Sequence, residues 1–226
     1  FVLNDMPPLL VQHCEEVSSL VYDAPDPEFP TLLFPALAQR LPPGALSSSK
    51  NDESATWYSY DVRGRLHWTV HYTNGLNKYH TVKYEYDLRG QLAHVLYQEE
   101  MPEERFDHWY RYDNNGRLLR VLTGNDGLLA NATEQAQHSY YAHGPLKRTE
   151  LGEDLQRLDF VYTLQGWLKT MNSPDANERD PGRDGQLGSN HANFTPDLFG
   201  LALDYYNGDY ARAGSKITAS VLSATD

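Results

Sequence analysis

Apolar and polar residues alternate in paired short runs through the middle of the chain. Leu66, Trp68, Val70 and Tyr72 lie two residues apart, and the run 57–60 before them alternates in the same way. A period of two places alternate side chains on one face of a β-strand, so each run predicts a strand with one packed face. No stretch has the pattern of an amphipathic helix longer than about three turns. The pattern therefore predicts an all-β chain.

A short polar motif separates the two runs of each pair. In the first pair, Asp61 is followed by two variable residues and then by Gly64. An Asp at the first position of a turn can accept hydrogen bonds from backbone amides two residues on, and a glycine at the last position can adopt a positive φ. Each copy therefore predicts a β-hairpin, with turns at 61–64, 87–90, 113–116, 142–144 and 163–166.

The hairpin unit is repeated along the chain. Gly64, Gly90 and Gly116 lie 26 residues apart, and a looser fourth copy places Gly144 at the glycine position, with one residue fewer after its tyrosine. In the fifth copy Thr163 replaces the Asp. A repeat of this length predicts an array of one supersecondary unit. The turn residues that define the repeat are Tyr60, Asp61, Gly64, Leu66, Tyr86, Asp87, Gly90, Leu92, Tyr112, Asp113, Gly116, Leu118, Gly144, Leu146, Tyr162, Gly166 and Leu168.

Composition divides the chain into four segments. Residues 1–56 are rich in proline, which removes ladder donors, so this segment is expected to form short strands and loops laid against the rest. Residues 57–171 hold the hairpin repeats. Residues 172–197 are polar and predict an insertion loop, and residues 198–226 are expected to continue the β region.

The repeated segments resemble RHS repeats, which are also called YD repeats. The resemblance lies in WYSYDVRGRL (57–66), KYEYDLRGQL (83–92) and WYRYDNNGRL (109–118). Residues 140–171 and 198–210 are similar to the downstream part of RHS-type proteins from Bacteroidota. The resemblance implies a ribbon of hairpins that spirals into a hollow shell. Such shells enclose a C-terminal effector in bacterial toxins and serve as extracellular interaction barrels in teneurins.

This resemblance implies a structural role. We expect a shell segment of a larger secreted or cell-surface bacterial protein, which encloses or scaffolds a C-terminal toxin or client domain. The implied partners are the rest of its own RHS chain, the enclosed cargo domain and a secretion-system or cell-surface protein. A shell needs more repeats than five, so the native chain is expected to continue beyond Phe1 and Asp226. No catalytic or cofactor-binding residue is expected, and the chain is not expected to be an enzyme.

A binding module is the alternative function. An adhesin or a carbohydrate-recognition surface would need aromatic side chains such as Trp68, Tyr72 and Tyr97 to be exposed together as one patch. Packing across strands is the favoured role of the tyrosines, because cross-strand aromatic pairs stabilise sheets. Which of the two functions applies therefore depends on the exposure of these rings.

The overall charge limits the partners. The formal net charge is −12, and no cluster of Lys and Arg is present to displace counterions from a phosphate backbone, so no nucleic-acid partner is expected. No window approaches about 20 consecutive apolar residues, so no membrane insertion is expected.

The histidines and the cysteine do not predict a metal or nucleophile site. His67 and His71 share a strand face but lie about 13 Å apart along it, too far for one metal ion. His138 and His143 fall on opposite faces of an extended segment. Cys14 precedes two glutamates, which disfavour its thiolate form. The repeated aspartates occur in identical turns, which a single active site does not require.

The polar loop 172–197 carries the remaining candidate chemistry. Asp175, Asn177, Asp180 and Asp184 could supply oxygen ligands to Ca²⁺, but their spacing is not that of an EF-hand, so a solvated loop is favoured. The sequence DPGRDG at 180–185 contains an Asp-Pro-Gly of the kind found at the Asp-dependent self-cleavage site of family toxins. Family-like sequence continues after it, which argues against that role.

Overall fold

The computed structural model describes residues 17–152, 155–172, 181–185, 192, 194, 197, 199–203 and 205. These residues form thirteen antiparallel strands, and each strand is hydrogen bonded to the strands that precede and follow it in sequence. The predicted all-β class of consecutive hairpins is thereby confirmed. The strands are β1 (Ser19–Tyr22), β2 (Leu46–Lys50), β3 (Ser54–Tyr60), β4 (Leu66–Thr73), β5 (Lys78–Tyr86), β6 (Leu92–Tyr97), β7 (Phe106–Tyr112), β8 (Leu118–Gly124), β9 (Thr133–Tyr140), β10 (Leu146–Leu151), β11 (Gln156–Tyr162), β12 (Leu168–Met171) and β13 (Leu201–Ala202).

Helical structure in the described residues is limited to two single 3₁₀ turns, Asn74–Leu76 and Leu129–Asn131. Neither these nor any other described segment makes a helix long and apolar enough to cross a membrane. The segment boundaries at 56, 171 and 197 remain predictions. Residues 1–16, which include Cys14, and most of 172–226 lie outside the described residues.

The described residues divide into two compact units. The first comprises the residues up to Tyr110 together with Thr123–Thr133, and the second comprises Arg111–Leu122 together with the residues from Glu134 onward. The first unit therefore contains the first two hairpin turns of the repeat, and the second unit contains the other three.

The turn that joins β3 and β4 shows how the repeat motif folds. The Gly64 N–H donates to the Asp61 carbonyl over 3.1 Å, and the Asp61 N–H donates to the Arg65 carbonyl over 2.8 Å. The register of the two strands shifts beside the turn, so that Tyr60 lies opposite Leu66. Gly64 has a φ of 77°, which favours glycine. This is a four-residue turn closed by a glycine bulge, and the turns at 87–90 and 113–116 have the same hydrogen bonds.

The fourth turn begins one residue earlier than expected. The Gly144 N–H donates to the Tyr141 carbonyl over 3.0 Å, so the turn spans 141–144 rather than 142–144. Tyr140 takes the place of the repeat tyrosine and Tyr141 takes the place of the Asp, and the spacing is therefore the same as in the other copies. In the fifth turn, at 163–166, the hydroxyl of Thr163 accepts a hydrogen bond from the Trp167 N–H over 3.1 Å, as an Asp carboxylate would.

One face of the first unit is covered by the proline-rich chain between β1 and β2. Phe29 of that segment is buried with its ring 5.3 Å from Trp68 and 5.9 Å from Trp57, measured between centroids. Val70 is fully buried in the same cluster, and Phe34 packs against this cluster. Prolines keep this segment out of the ladder, which leaves it free to lie across the sheet. Burying each large apolar side chain stabilises the fold by about 1.5–3 kcal/mol.

Candidate interaction surface

The other face of the first unit carries partly exposed side chains. The strand register places Thr56 opposite His71 and His71 opposite His80, while the buried Trp57 and Val70 alternate with them and point to the covered face. We call the following set the open face: Thr56 and Tyr58 of β3, Thr69 and His71 of β4, His80, Val82 and Tyr84 of β5, Val95 and Tyr97 of β6, and Phe106, His108 and Tyr110 of β7.

The open face contains no Asp, Glu, Lys or Arg among its twelve residues. None of the twelve is buried, and Phe106 is 42% exposed. Lys78 has the same strand parity but is the first residue of β5, where it pairs with Glu104 at 2.5 Å. In a chain with a net charge of −12, charge is thus concentrated away from this surface.

Hydrogen bonds and ring contacts order the open face. Thr56 Oγ1 lies 2.7 Å from His71 Nδ1, and the Tyr97 hydroxyl lies 2.6 Å from His80 Nδ1. The rings of His80 and Tyr97 stack with centroids 5.9 Å apart. His108 packs edge-on against Phe106, with ring centroids 4.9 Å apart. The surface combines aromatic area with ordered polar atoms.

The repeat residues mark the ends of the strands. Each repeat tyrosine ends a strand and each repeat leucine begins the next one, as Tyr60 and Leu66 do at β3 and β4. The pairs Tyr86 and Leu92, Tyr112 and Leu118, Tyr140 and Leu146, and Tyr162 and Leu168 follow the same rule. The turn glycines Gly64, Gly90, Gly116, Gly144 and Gly166 all have positive φ.

The tyrosine hydroxyls connect successive hairpins, a role that sequence reasoning missed. Tyr86 donates to the carbonyl of Leu66 over 2.8 Å, and Tyr140 donates to the carbonyl of Leu118 over the same distance. In each case the acceptor is the leucine that begins the second strand of the preceding hairpin. Burial raises the pKa of both phenols, more than the nearby arginines lower it, so both stay protonated donors. The repeat positions therefore build the scaffold.

The aspartates of the first and third repeat turns are held by the arginine that follows the glycine. Arg65 donates to Asp61 through Nε at 2.7 Å and through a terminal nitrogen at 2.6 Å. Burial opposes ionisation of Asp61, but hydrogen bonds from the Arg65 backbone and side chain and from the Arg63 backbone outweigh it and lower its pKa to about 2. Arg117 holds Asp113 in the same way at 2.7 Å. With its acceptors occupied, such a carboxylate is fitted to stabilise the turn and not to transfer protons.

The joint exposure of Trp68, Tyr72 and Tyr97 that a binding module would need is not found. Trp68 is 2% exposed and Tyr72 shares its covered face, where the Tyr72 ring packs 4.6 Å from Tyr79 between centroids. Tyr97 points to the opposite, open face. Trp68 lies opposite Lys83 of β5, whereas Tyr97 lies opposite Val82. Val82 and Lys83 are adjacent and point to opposite faces of the sheet, so the rings of Trp68 and Tyr97 do as well.

The covered face of the first unit also holds a buried ionic group that sequence analysis missed. Asp107 is fully buried, 2.7 Å from Arg105 Nε and 2.9 Å from His94 Nε2. The His94 ring stacks on Trp109 with centroids 4.8 Å apart. Burial opposes ionisation of Asp107, but these hydrogen bonds and charges outweigh it and lower its pKa. Removing Arg105 or His94 would leave this buried charge incompletely paired, which is costly in a protein interior.

The second unit has a charged interior around β10 and β11. Arg148 makes two hydrogen bonds of 2.7 Å to the carboxylate of Asp159. Gly182 lies so close that a Cβ there would be 2.3 Å from Asp159 and 2.6 Å from Arg148. Asn172 is fully buried and accepts the Asp159 N–H over 2.7 Å. Part of the DPGRDG segment thus packs on this group, while its first residue, Asp180, lies outside the described residues.

The structure describes only some of the other candidate residues. Asp184 is buried 3.9 Å from Arg148, whereas Asp175 and Asn177 lie outside the described residues. His138 lies 3.0 Å from the hydroxyl of Thr149, and burial lowers its pKa. His143 stacks on Tyr141. Within the described part of the chain, no group of three or more His, Cys, Asp or Glu side chains is arranged to hold a metal ion.

Comparison with known proteins gives a partial likeness in fold. No protein family model and no curated protein matches the sequence. Part of the chain is similar to the crystal structure of TcdB2–TccC3 without its hypervariable C-terminal region, with 16% sequence identity and a TM-score of 0.47. The matched region covers 69% of this chain and 8% of that one.

Proposed function

We propose that this chain is a structural β-segment of a larger secreted or cell-surface bacterial protein of the RHS-repeat type, and that its open face packs against a C-terminal toxin or client domain. The observation that carries this proposal is the difference between the two faces of the first unit. One face is covered by the chain's own proline-rich segment through Phe29. The other presents twelve partly exposed residues without Asp, Glu, Lys or Arg.

The composition of the open face suits contact with another protein. Burying an unpaired charge costs far more than burying an aromatic ring or a bonded hydroxyl, so a surface without carboxylates or amines can be covered at low cost. Protein interfaces are enriched in aromatic residues and depleted of Lys, Glu and Asp at their centres. Tyr58, Tyr84, Tyr97 and Tyr110 give this surface that composition.

The scaffold role extends to the whole ribbon. Each hairpin is attached to the previous one through backbone pairing and, at Tyr86 and Tyr140, through a tyrosine hydroxyl. Further repeats of the same chain can extend such an array at either end. In this proposal the chain has no catalytic role, and its partners are the rest of its own chain, the client domain and a secretion-system or cell-surface protein.

A photo-crosslinking experiment in the native, full-length protein tests the proposal. A benzophenone amino acid replaces Tyr84 on the open face or, as the matched control, Glu85, the next residue of the same strand. Crosslinks from position 84 to a client domain of the same polypeptide or a co-purifying chain are expected, with few from position 85. Equal crosslinking from both positions, or none from either, contradicts a client-facing surface.

An extracellular binding module is the competing function, and one observation favours it. Phe106 and His108 form an exposed edge-to-face pair on the open face. A glycan array probed with the purified protein distinguishes the two functions. If the protein purifies alone and binds a glycan through Phe106 and Tyr97, the client-facing function is wrong and the binding module replaces it.

A further inference from the structure

We propose that His71 and His80 form a two-histidine site for a divalent transition-metal ion, such as Zn²⁺ or Cu²⁺, on the open face of the first unit. Imidazole nitrogen is a preferred ligand for both ions. This inference goes beyond the scaffold function and does not depend on it.

The strand register brings the two imidazoles together. His71 of β4 and His80 of β5 are directly opposite each other, and Thr56 of β3 is opposite His71 on the other side. Side chains of directly opposed residues in an antiparallel pair share a face, and their Cβ atoms are about 4.5–5.5 Å apart. That separation allows two imidazoles to reach one ion. His67, four residues before His71 on the same strand, is too distant to take part.

The hydrogen bonds of both rings match those of a metal-binding histidine. A ligating histidine usually donates its second ring N–H to an oxygen, which fixes the tautomer and the ring orientation. Here Nδ1 of His71 lies 2.7 Å from Thr56 Oγ1, and Nδ1 of His80 lies 2.6 Å from the Tyr97 hydroxyl. When Nδ1 carries the proton on each ring, both Nε2 atoms have a lone pair for the metal.

The surroundings favour a cation that keeps solvent ligands. Both histidines are partly exposed, and Lys78, which has the same strand parity at the start of β5, is paired with Glu104. In the described residues no third His, Cys, Asp or Glu is grouped with this pair. The other coordination positions are therefore available to water or to a side chain of a bound partner.

Titration of the full chain with ZnCl₂ and with CuCl₂ tests the site. Calorimetry is expected to detect binding that His71→Ala and His80→Ala each abolish and that His67→Ala leaves unchanged. Thr56→Val and Tyr97→Phe remove only the oxygens that orient the rings, and each is expected to weaken binding by about tenfold. Electron paramagnetic resonance of the Cu²⁺ form is expected to show two imidazole nitrogens at the metal.

Three results would overturn the proposal: no binding, binding that survives both histidine substitutions, or binding that His67→Ala removes. Circular dichroism checks that each variant is folded. If a variant does not fold, the NMR signals of the histidine rings in the wild-type protein test the site instead. Selective broadening of His71 and His80 by substoichiometric Cu²⁺ supports the site, and broadening that spares them rejects it.

Discussion

Arg65 lies over the ring of Tyr86, with its guanidinium carbon 4.0 Å from the ring centroid, while the same side chain holds Asp61 in the preceding turn. Arg117 has the same relation to Tyr140, at 4.4 Å, and to Asp113. One arginine thus joins the turn of its own hairpin to the tyrosine of the next. The motif Tyr-Asp-x-x-Gly-Arg-Leu consequently encodes both a turn and the attachment between neighbouring turns.

We expect Arg65→Lys to destabilise the first unit by about 1 kcal/mol, because lysine can neither make the two-nitrogen bond to Asp61 nor stack flat on Tyr86. Arg63→Lys, in the exposed part of the same turn, is the control and is expected to change stability by less than about 0.5 kcal/mol. Urea denaturation of both variants measures the difference. Coincident midpoints would show that the arginine contact does not contribute to stability.

We expect Tyr86→Phe to cost about 0.5–1.5 kcal/mol, because the Leu66 carbonyl loses its hydroxyl donor while the ring remains in place. Tyr84→Phe, two residues earlier on the same strand, removes a hydroxyl from a partly exposed ring and is expected to be close to neutral. Thermal unfolding followed by circular dichroism compares them. A Tyr84→Phe variant less stable than Tyr86→Phe would refute the attachment role of the hydroxyl.

We expect the protein to lose stability as the pH falls from about 4 to 2. The pKa of Asp61 is lowered from 3.8 to about 2 in the folded state, so the unfolded chain binds more protons in this range. The contribution of the Asp61 carboxylate is complete above about pH 4 and disappears as the pH falls through its folded pKa. Denaturation at a series of pH values should give a shallower decline for Asp61→Asn than for wild type. Parallel declines would show that Asp61 does not carry this effect.

Gly90→Val is expected to cost more than about 1 kcal/mol, because Gly90 has a φ of 89° and a β-branched residue resists this conformation. A Cβ at this position would also lie 3.3 Å from a terminal nitrogen of Arg65. Gly75 lies in an exposed 3₁₀ turn, where a Cβ would have no neighbouring atom within 4 Å, so Gly75→Val is the control. Equal denaturation midpoints for the two variants would contradict the role of the turn glycine.

Phe29→Ala is expected to destabilise the first unit by about 3 kcal/mol, since it opens a cavity beside Trp57 and Trp68. Leu32→Ala, in the same covering segment, changes a side chain that is 96% exposed and is expected to be nearly neutral. Tryptophan fluorescence during urea unfolding reports on the buried rings directly. If the two variants unfold together with wild type, the proline-rich segment does not contribute to the core.

The sequence alone predicted the all-β class and its succession of antiparallel hairpins, because both follow from local rules. Alternation along a strand depends on residues two apart, and a turn such as Asp61 to Gly64 depends on four consecutive residues. The fourth copy shows where these local sequence patterns predicted the wrong turn boundary. Tyr140 and Tyr141 are adjacent, and the hydrogen bond from Gly144 to Tyr141 shows that Tyr141 opens the turn.

Which face of the sheet is covered and which remains open depends on contacts between distant parts of the chain. Trp68 and Tyr97 look alike in an alternating pattern, yet Phe29, far away in the chain, buries the first and leaves the second partly exposed. The opposition of His71 and His80 likewise depends on the pairing register of β4 with β5, which a sequence pattern within one strand does not specify. Long-range packing and register depend on contacts between distant segments, and these arise only when the chain is folded.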